Sequence, residues 1–216
     1  MKKIFYCQGK LLVRSVILNH MIMEGSGGEF FGSGQFYRYA ITCCPELKLI
    51  SIDDCRQFDN RAQIKREFGD NENVRIISLK ELVKIAKITA KVCWEDACGP
   101  FSKNQMREDI KNWISIMPER GTIFITRQIG RERKLGLPKG ASRKDIETRI
   151  EELIEELWTE LNVFADPIFD FEYKSNPTGN KPSGCRMRVT GYRITKLNEI
   201  LWKESPLIKT NSKEMV

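Results

Sequence analysis

The chain has 216 residues, is 41% hydrophobic and 30% charged, and carries a formal net charge of +7. A chain of this size buries roughly 70% of the surface its unfolded form exposes, and no stretch approaches the run of about 20 apolar residues that a membrane span needs. Seven cysteines, an odd number with no C-x-x-C pair, beside the single His20 argue against a disulfide framework and against any metal site.

The thiols are therefore expected to be reduced and mostly buried, in a cytoplasmic protein. Met1–Lys3 is basic and Leu11–Leu18 apolar, but Arg14 interrupts the run and no small-residue cleavage site follows, so no signal peptide is expected.

In chain order, Val16–Met23 reads as a first apolar strand ending in the glycines of Glu24-Gly25-Ser26-Gly27-Gly28, and Phe30–Cys44 as a helix weakened by Gly32 and Gly34. Lys48–Ile52 reads as a strand stopping at Asp53-Asp54, Gln57–Phe68 as a helix, Val74–Ile77 as a strand and Leu79–Ile88 as a basic amphipathic helix. A fourth strand, Lys91–Trp94, ends in Glu95-Asp96, and Ser102 is placed to cap a helix running to Met117. Gly121–Thr126 is the fifth strand. Ser142 caps an acidic helix, Lys144–Leu161, whose Ile146, Ile150, Leu153, Ile154, Leu157 and Leu161 recur at helical spacing.

The pattern then changes: Ile168–Lys174 and Arg186–Thr195 are strand-like with no helix between them, so they should pair antiparallel. Alternating elements closed by a hairpin predict one α/β domain over residues 1–206, a three-layer Rossmann-like arrangement with a mostly parallel sheet. Residues 207–216 read as a disordered polar tail.

Charge is uneven. Between Arg127 and Lys144 lie Arg127, Arg131, Arg133, Lys134, Lys139, Arg143 and Lys144 against Glu132 alone, interleaved with Gly130, Gly136, Pro138 and Gly140. A basic loop of this kind suits a polyanion such as nucleic acid, with Arg127, Arg131, Arg133, Lys134 and Lys139 as the phosphate-binding candidates. The other reading is a solvated loop balanced by the acidic helix that follows it.

A glycine cluster after a first strand lets the backbone approach a ligand, which makes Glu24, Gly25, Gly27 and Gly28 cofactor-binding candidates, although the cluster does not match G-x-G-x-x-G. Asp53, 26 residues beyond Gly27, falls where a carboxylate can accept both hydroxyls of a ribose. Glu95 and Asp96, ending the fourth strand, are the candidates for orienting a substrate or acting as a general base. One histidine allows neither a Ser-His-Asp nor a Cys-His arrangement, and no phosphate-binding G-x-x-x-x-G-K-[ST] loop is present.

The layout resembles the class I S-adenosylmethionine-dependent methyltransferase fold, seven-stranded with an antiparallel pair at its end. Gly25-Ser26-Gly27-Gly28-Glu29-Phe30 is similar to the cofactor loop of RNA ribose methyltransferases, Ile50-Ser51-Ile52-Asp53 to the motif whose acid holds the cofactor ribose, and Trp94–Phe101 to the motif lining the catalytic pocket. The resemblance implies S-adenosylmethionine as cofactor and methyl transfer to a nucleic acid or other anion, with Asp96 and Glu95 at the acceptor. The chain departs from the family in placing Met23 two residues before the first glycine and Arg127 where ribose methyltransferases carry a lysine. An arginine stays protonated and cannot serve as a base. The alternative is a non-catalytic relative that binds nucleic acid or a protein partner through the 127–144 loop.

Overall fold

Seven strands form one sheet: β1 (Ser26–Phe30), β2 (Lys48–Asp53), β3 (Val74–Ser78), β4 (Val92–Pro100), β5 (Arg120–Ile129), β6 (Val163–Lys174) and β7 (Arg186–Lys196). Their spatial order is β3-β2-β1-β4-β5-β7-β6. Neighbours from β3 to β5 pair in parallel, whereas β7 runs antiparallel to both β5 and β6. Among the described residues, these helices pack on it: α1 (Gln8–Glu24), α2 (Gln35–Cys43), α3 (Lys103–Ile116) and α4 (Arg143–Glu160). The computed structural model describes residues 8–30, 35–53, 66–78, 89–100, 102–129, 135–138, 140–174 and 186–197. Most of the two expected helices at 57–68 and 79–88, and the tail at 207–216, lie outside these residues. Among the described residues no helix is long and apolar enough to cross a membrane.

Both faces of the sheet are covered, as a parallel sheet requires. On one face Val13, Ile17 and Met21 of α1 and Phe36 and Tyr37 of α2 pack with Trp94, Phe124 and Val189. On the other, Ile110 and Trp113 of α3 and Leu153, Ile154 and Leu157 of α4 pack with Cys93, Ile123, Ile125 and Ile194. The side-chain period of two divides each central strand between these cores, so Trp94 and Phe124 face α1 while Cys93 and Ile123 face α3. Ser142 starts α4 with a reciprocal capping box: its side chain accepts from the Asp145 N–H, and the Asp145 carboxylate accepts from the Ser142 N–H. Ser102 occupies the N-cap of α3 with extended backbone but makes no side-chain capping bond.

The first strand is not where the apolar run suggested. Val16–Met23 belongs to α1, with Val13, Ile17 and Met21 buried at helical spacing, and β1 begins at Ser26. The glycines then have different causes. Gly25, at φ +75°, ends α1 in the left-handed conformation, its N–H reaching the Ile22 carbonyl at 3.2 Å. Gly27 and Gly28 sit inside β1, where α1 and α3 press from opposite faces: a Cβ on Gly27 would lie 2.2 Å from Met21 Sδ, and one on Gly28 2.7 Å from Trp113 Cζ3. These glycines thin the strand so that two helices can close on it.

Because the Trp113 ring is fully buried, it has little room to give. Gly28→Ala should cost about 1–3 kcal/mol through overpacking, a fall of several degrees in Tm. Thermal unfolding within a degree of wild type would contradict this packing.

Candidate functional site

The connections reverse direction at β1: the chain passes from β1 outward to β2 and β3, then returns to β4 on its other side. Such a switch point opens a crevice at the carboxyl ends of the two strands. Glu29 of β1 lies opposite Trp94 of β4, and Asp96 follows two residues on, so both carboxylates project toward α1. Two cations meet them from α1, one helical turn apart. Lys10 Nζ donates to Asp96 Oδ2 at 3.0 Å, with side-chain exposures of 25% and 13%. Arg14, buried, donates from Nη2 to Gln35 Oε1 at 3.1 Å, joining α1 to the first residue of α2. The Tyr37 hydroxyl lies 3.0 Å from both the Glu29 and Ile50 carbonyl oxygens, tying α2 to β1 and β2.

Glu29 is only 6% exposed. Burial first, and the Asp96 charge second, hold its carboxyl well above the usual carboxylate range, while Arg14 and Lys10 pull it down. Sequence reading passed over Glu29, Lys10 and Arg14 because the first strand had been placed too early. The available signal was an acid at the end of a strand followed by Gly32-Ser33-Gly34 and a helix: α2 begins at Gln35, so those glycines fall in the connection from β1 to α2, outside the described residues.

The anticipated residues are dispersed. Glu24 ends α1 and pairs with Lys91 at 3.6 Å, and Gly25 follows it, so both lie at the amino ends of β1 and β4. They are one strand length, about 16 Å, from the crevice. Gly27 and Gly28 are within β1. Asp53 ends β2 at the carboxyl edge, where β2 adjoins β1 through Phe30 and Ile52. Glu95 and Asp96 do not act together: adjacent residues of a strand point to opposite faces, and Glu95 is buried against α3, its Oε2 accepting from Trp113 Nε1 at 3.1 Å.

Arg127 is not in a loop but in β5, 3% exposed, opposite Arg188 of β7. Burial pushes the Tyr192 phenol up to about 12, against the lowering effect of Arg127. Arg131, Arg133, Lys134 and Lys139 lie outside the described residues. The His20 ring stands edge-on to Phe124 at 5.2 Å, a packing role. Among the described residues no group of three His, Cys, Asp or Glu side chains could hold a metal ion.

No family model and no curated protein matches the sequence. Solved structures do. M. jannaschii TYW2 in complex with AdoMet superposes with a TM-score of 0.55 at 12% identity, covering 90% of this chain and 80% of that one. The chain has the class I methyltransferase fold. Other structures with the same methyltransferase fold include the N-methyltransferase NodS of Bradyrhizobium japonicum WM9, at TM-score 0.52 and 11% identity over 87% of this chain and 97% of that one. The 1,6-didemethyltoxoflavin-N1-methyltransferase of Burkholderia thailandensis gives 0.55 and 13% over 85% and 77%.

The Glu29 environment has a consequence for stability. Its folded-state pKa lies above its unfolded value, so the folded protein holds the proton more tightly, and stability is lost as pH rises from the unfolded value through the folded one. Glu29→Gln removes this loss. The stability of the variant relative to wild type should grow as pH rises above the ordinary glutamate value of about 4.3 in denaturant titrations. A pH-independent difference would mean that the surroundings do not raise the Glu29 pKa.

Proposed function

We propose that the chain is an S-adenosylmethionine-dependent methyltransferase whose acceptor is a nucleic acid or another polyanion. The observation that carries this reading is the cluster of ionisable side chains at the β1–β4 switch point, where Lys10 pairs with Asp96 and Arg14 acts on buried Glu29. The matching structures of TYW2 and NodS include complexes with AdoMet, MeSAdo and S-adenosyl-l-homocysteine. Asp53 is the residue to accept the ribose hydroxyls, since it stands at the carboxyl end of the strand next to β1. Two glycines in the connection from β1 to α2 suit close approach of backbone to ligand.

The cofactor supplies an activated methyl group; the chain's own task is alignment. A reaction of this kind depends on holding the methyl donor in line with the acceptor, and few acid or base groups are needed. Asp96, fixed by Lys10 at the mouth of the crevice, is the group to orient the acceptor. Glu95, turned into the core, positions Trp113 and takes no part at the acceptor.

Charge supports the polyanion. Between Arg131 and Lys139 four basic residues stand against Glu132 alone. Acids of α4 are already engaged by described cations: Glu147 and Glu151 by Arg188, Glu147 also by Arg143, Glu152 and Glu156 by Arg149, and Glu160 by Arg107. Arg131, Arg133, Lys134 and Lys139 follow the carboxyl end of β5 in sequence.

Calorimetric titration with S-adenosylmethionine tests the cofactor: saturable heat is expected, and none at millimolar concentration removes the enzyme reading. For the acceptor, replacing Arg131, Arg133, Lys134 and Lys139 together with glutamine should lower the slope of log affinity against log salt for single-stranded RNA by roughly 3. An unchanged slope would remove this loop from the contact.

A further inference from the structure

We infer that Gln128 reads a nucleobase of the acceptor, its carboxamide pairing with a donor and an acceptor that lie side by side on the base edge. This rests on the nucleic-acid reading above and names what the chain recognises in such an acceptor beyond its phosphates. Gln128 is 5% exposed, and its carboxamide meets no hydrogen-bond partner among the described residues. Its neighbours on the same face are committed: Thr126 accepts from Trp94 Nε1 at 2.8 Å, and Asp96 pairs with Lys10 at 3.0 Å. Buried amides are normally satisfied, so an unfilled one at the carboxyl edge of the sheet is a group held ready for a ligand.

Register fixes where the amide points. β5 pairs with β7 without interruption from Arg120 to Ile129, so alternation carries through to Gln128. It stands opposite Met187 and two residues beyond Thr126, both on the α1 face. The irregularity is in β4. Asp96 adjoins Thr126 and Pro100 adjoins Gln128, so Ala97, Cys98 and Gly99 stand against Arg127 alone. That bulge bends β4 and interrupts the ladder beside Gln128.

The chemistry of the amide selects its partner. A carboxamide offers N–H donors and a carbonyl acceptor next to each other. A phosphate or carboxylate fills the donors and leaves the carbonyl unpaired; an ammonium does the reverse. A nucleobase edge fills both. A peptide amide does so too, but Arg131, Arg133, Lys134 and Lys139 follow Gln128 in sequence, which favours a chain of phosphates that presents bases.

The experiment measures, by fluorescence anisotropy on the full chain, binding of short single-stranded RNA homopolymers of each base, an abasic oligomer of equal length and polyglutamate. Wild type should hold at least one homopolymer roughly tenfold more tightly than the abasic oligomer, the discrimination expected of one paired amide edge. Gln128→Met, close in length and without the amide, should cancel that preference and leave the abasic affinity within about twofold. Because the amide has no partner in the fold, the same substitution should keep or raise Tm. A large fall in Tm would place the partner inside the protein and overturn the inference. So would a wild type that binds homopolymers and abasic oligomer alike, or a variant that keeps the preference; there the nucleic-acid reading stands and only the role of Gln128 falls. Polyglutamate binding with the same dependence on Gln128 would assign the amide to a peptide instead. A wild type that binds none of the oligomers removes the nucleic-acid reading, and this inference with it.

Discussion

The close approach of α1 and α3 to β1 governs the rest of the molecule. Gly27 and Gly28 leave no side chain on either face of the strand, so Met21 and Trp113 rest where Cβ atoms would otherwise stand. With α1 seated this low, its amino-terminal half passes over the ends of β1 and β4 and delivers Lys10 and Arg14 to the crevice. A bulkier residue at either position would lift a helix from the sheet. The charged cluster would then open, although no charged residue had changed.

Strand alternation makes the second decision. Trp94 and Asp96 face α1; Cys93 and Glu95 face α3. One residue of offset therefore separates a carboxylate paired with Lys10 from one held in the core by an indole N–H. The same rule places Arg127 on the α3–α4 face, where it is 3% exposed. Residues that look equivalent in a line of text are assigned opposite tasks by the pleat.

Electrostatics divides the protein in a similar way. The outer face built from α4, β6 and β7 is laced with ion pairs, among them Arg188 with Asp170, Glu147 and Glu151, and Arg143 and Arg186 with Glu172. Pairing of this density leaves that face close to neutral and adds modestly to stability. The carboxyl edge of the sheet is different: Lys10 pairs with Asp96 there, and burial first and the Asp96 charge second raise the Glu29 carboxyl well above the usual carboxylate range.

Strand order was legible in the sequence from Lys48 onward, as were α3 and α4, because those strands are apolar runs bounded by turn residues and the α4 stripe has an unambiguous period. The terminal antiparallel pair was legible for the same reason, since no helix fits between Lys174 and Arg186. The start of the chain was not: a helix buried along one side and a buried strand both read as apolar runs, and only the packing of Val13, Ile17 and Met21 decides between them. Glycines have several uses, and the sequence does not say which applies. The tertiary structure makes Gly25 a helix terminus and Gly27 and Gly28 a close contact, and it gathers Glu29, Asp96, Lys10 and Arg14 at the carboxyl ends of β1 and β4. That grouping depends on contacts up to 86 residues apart, which local pattern cannot carry.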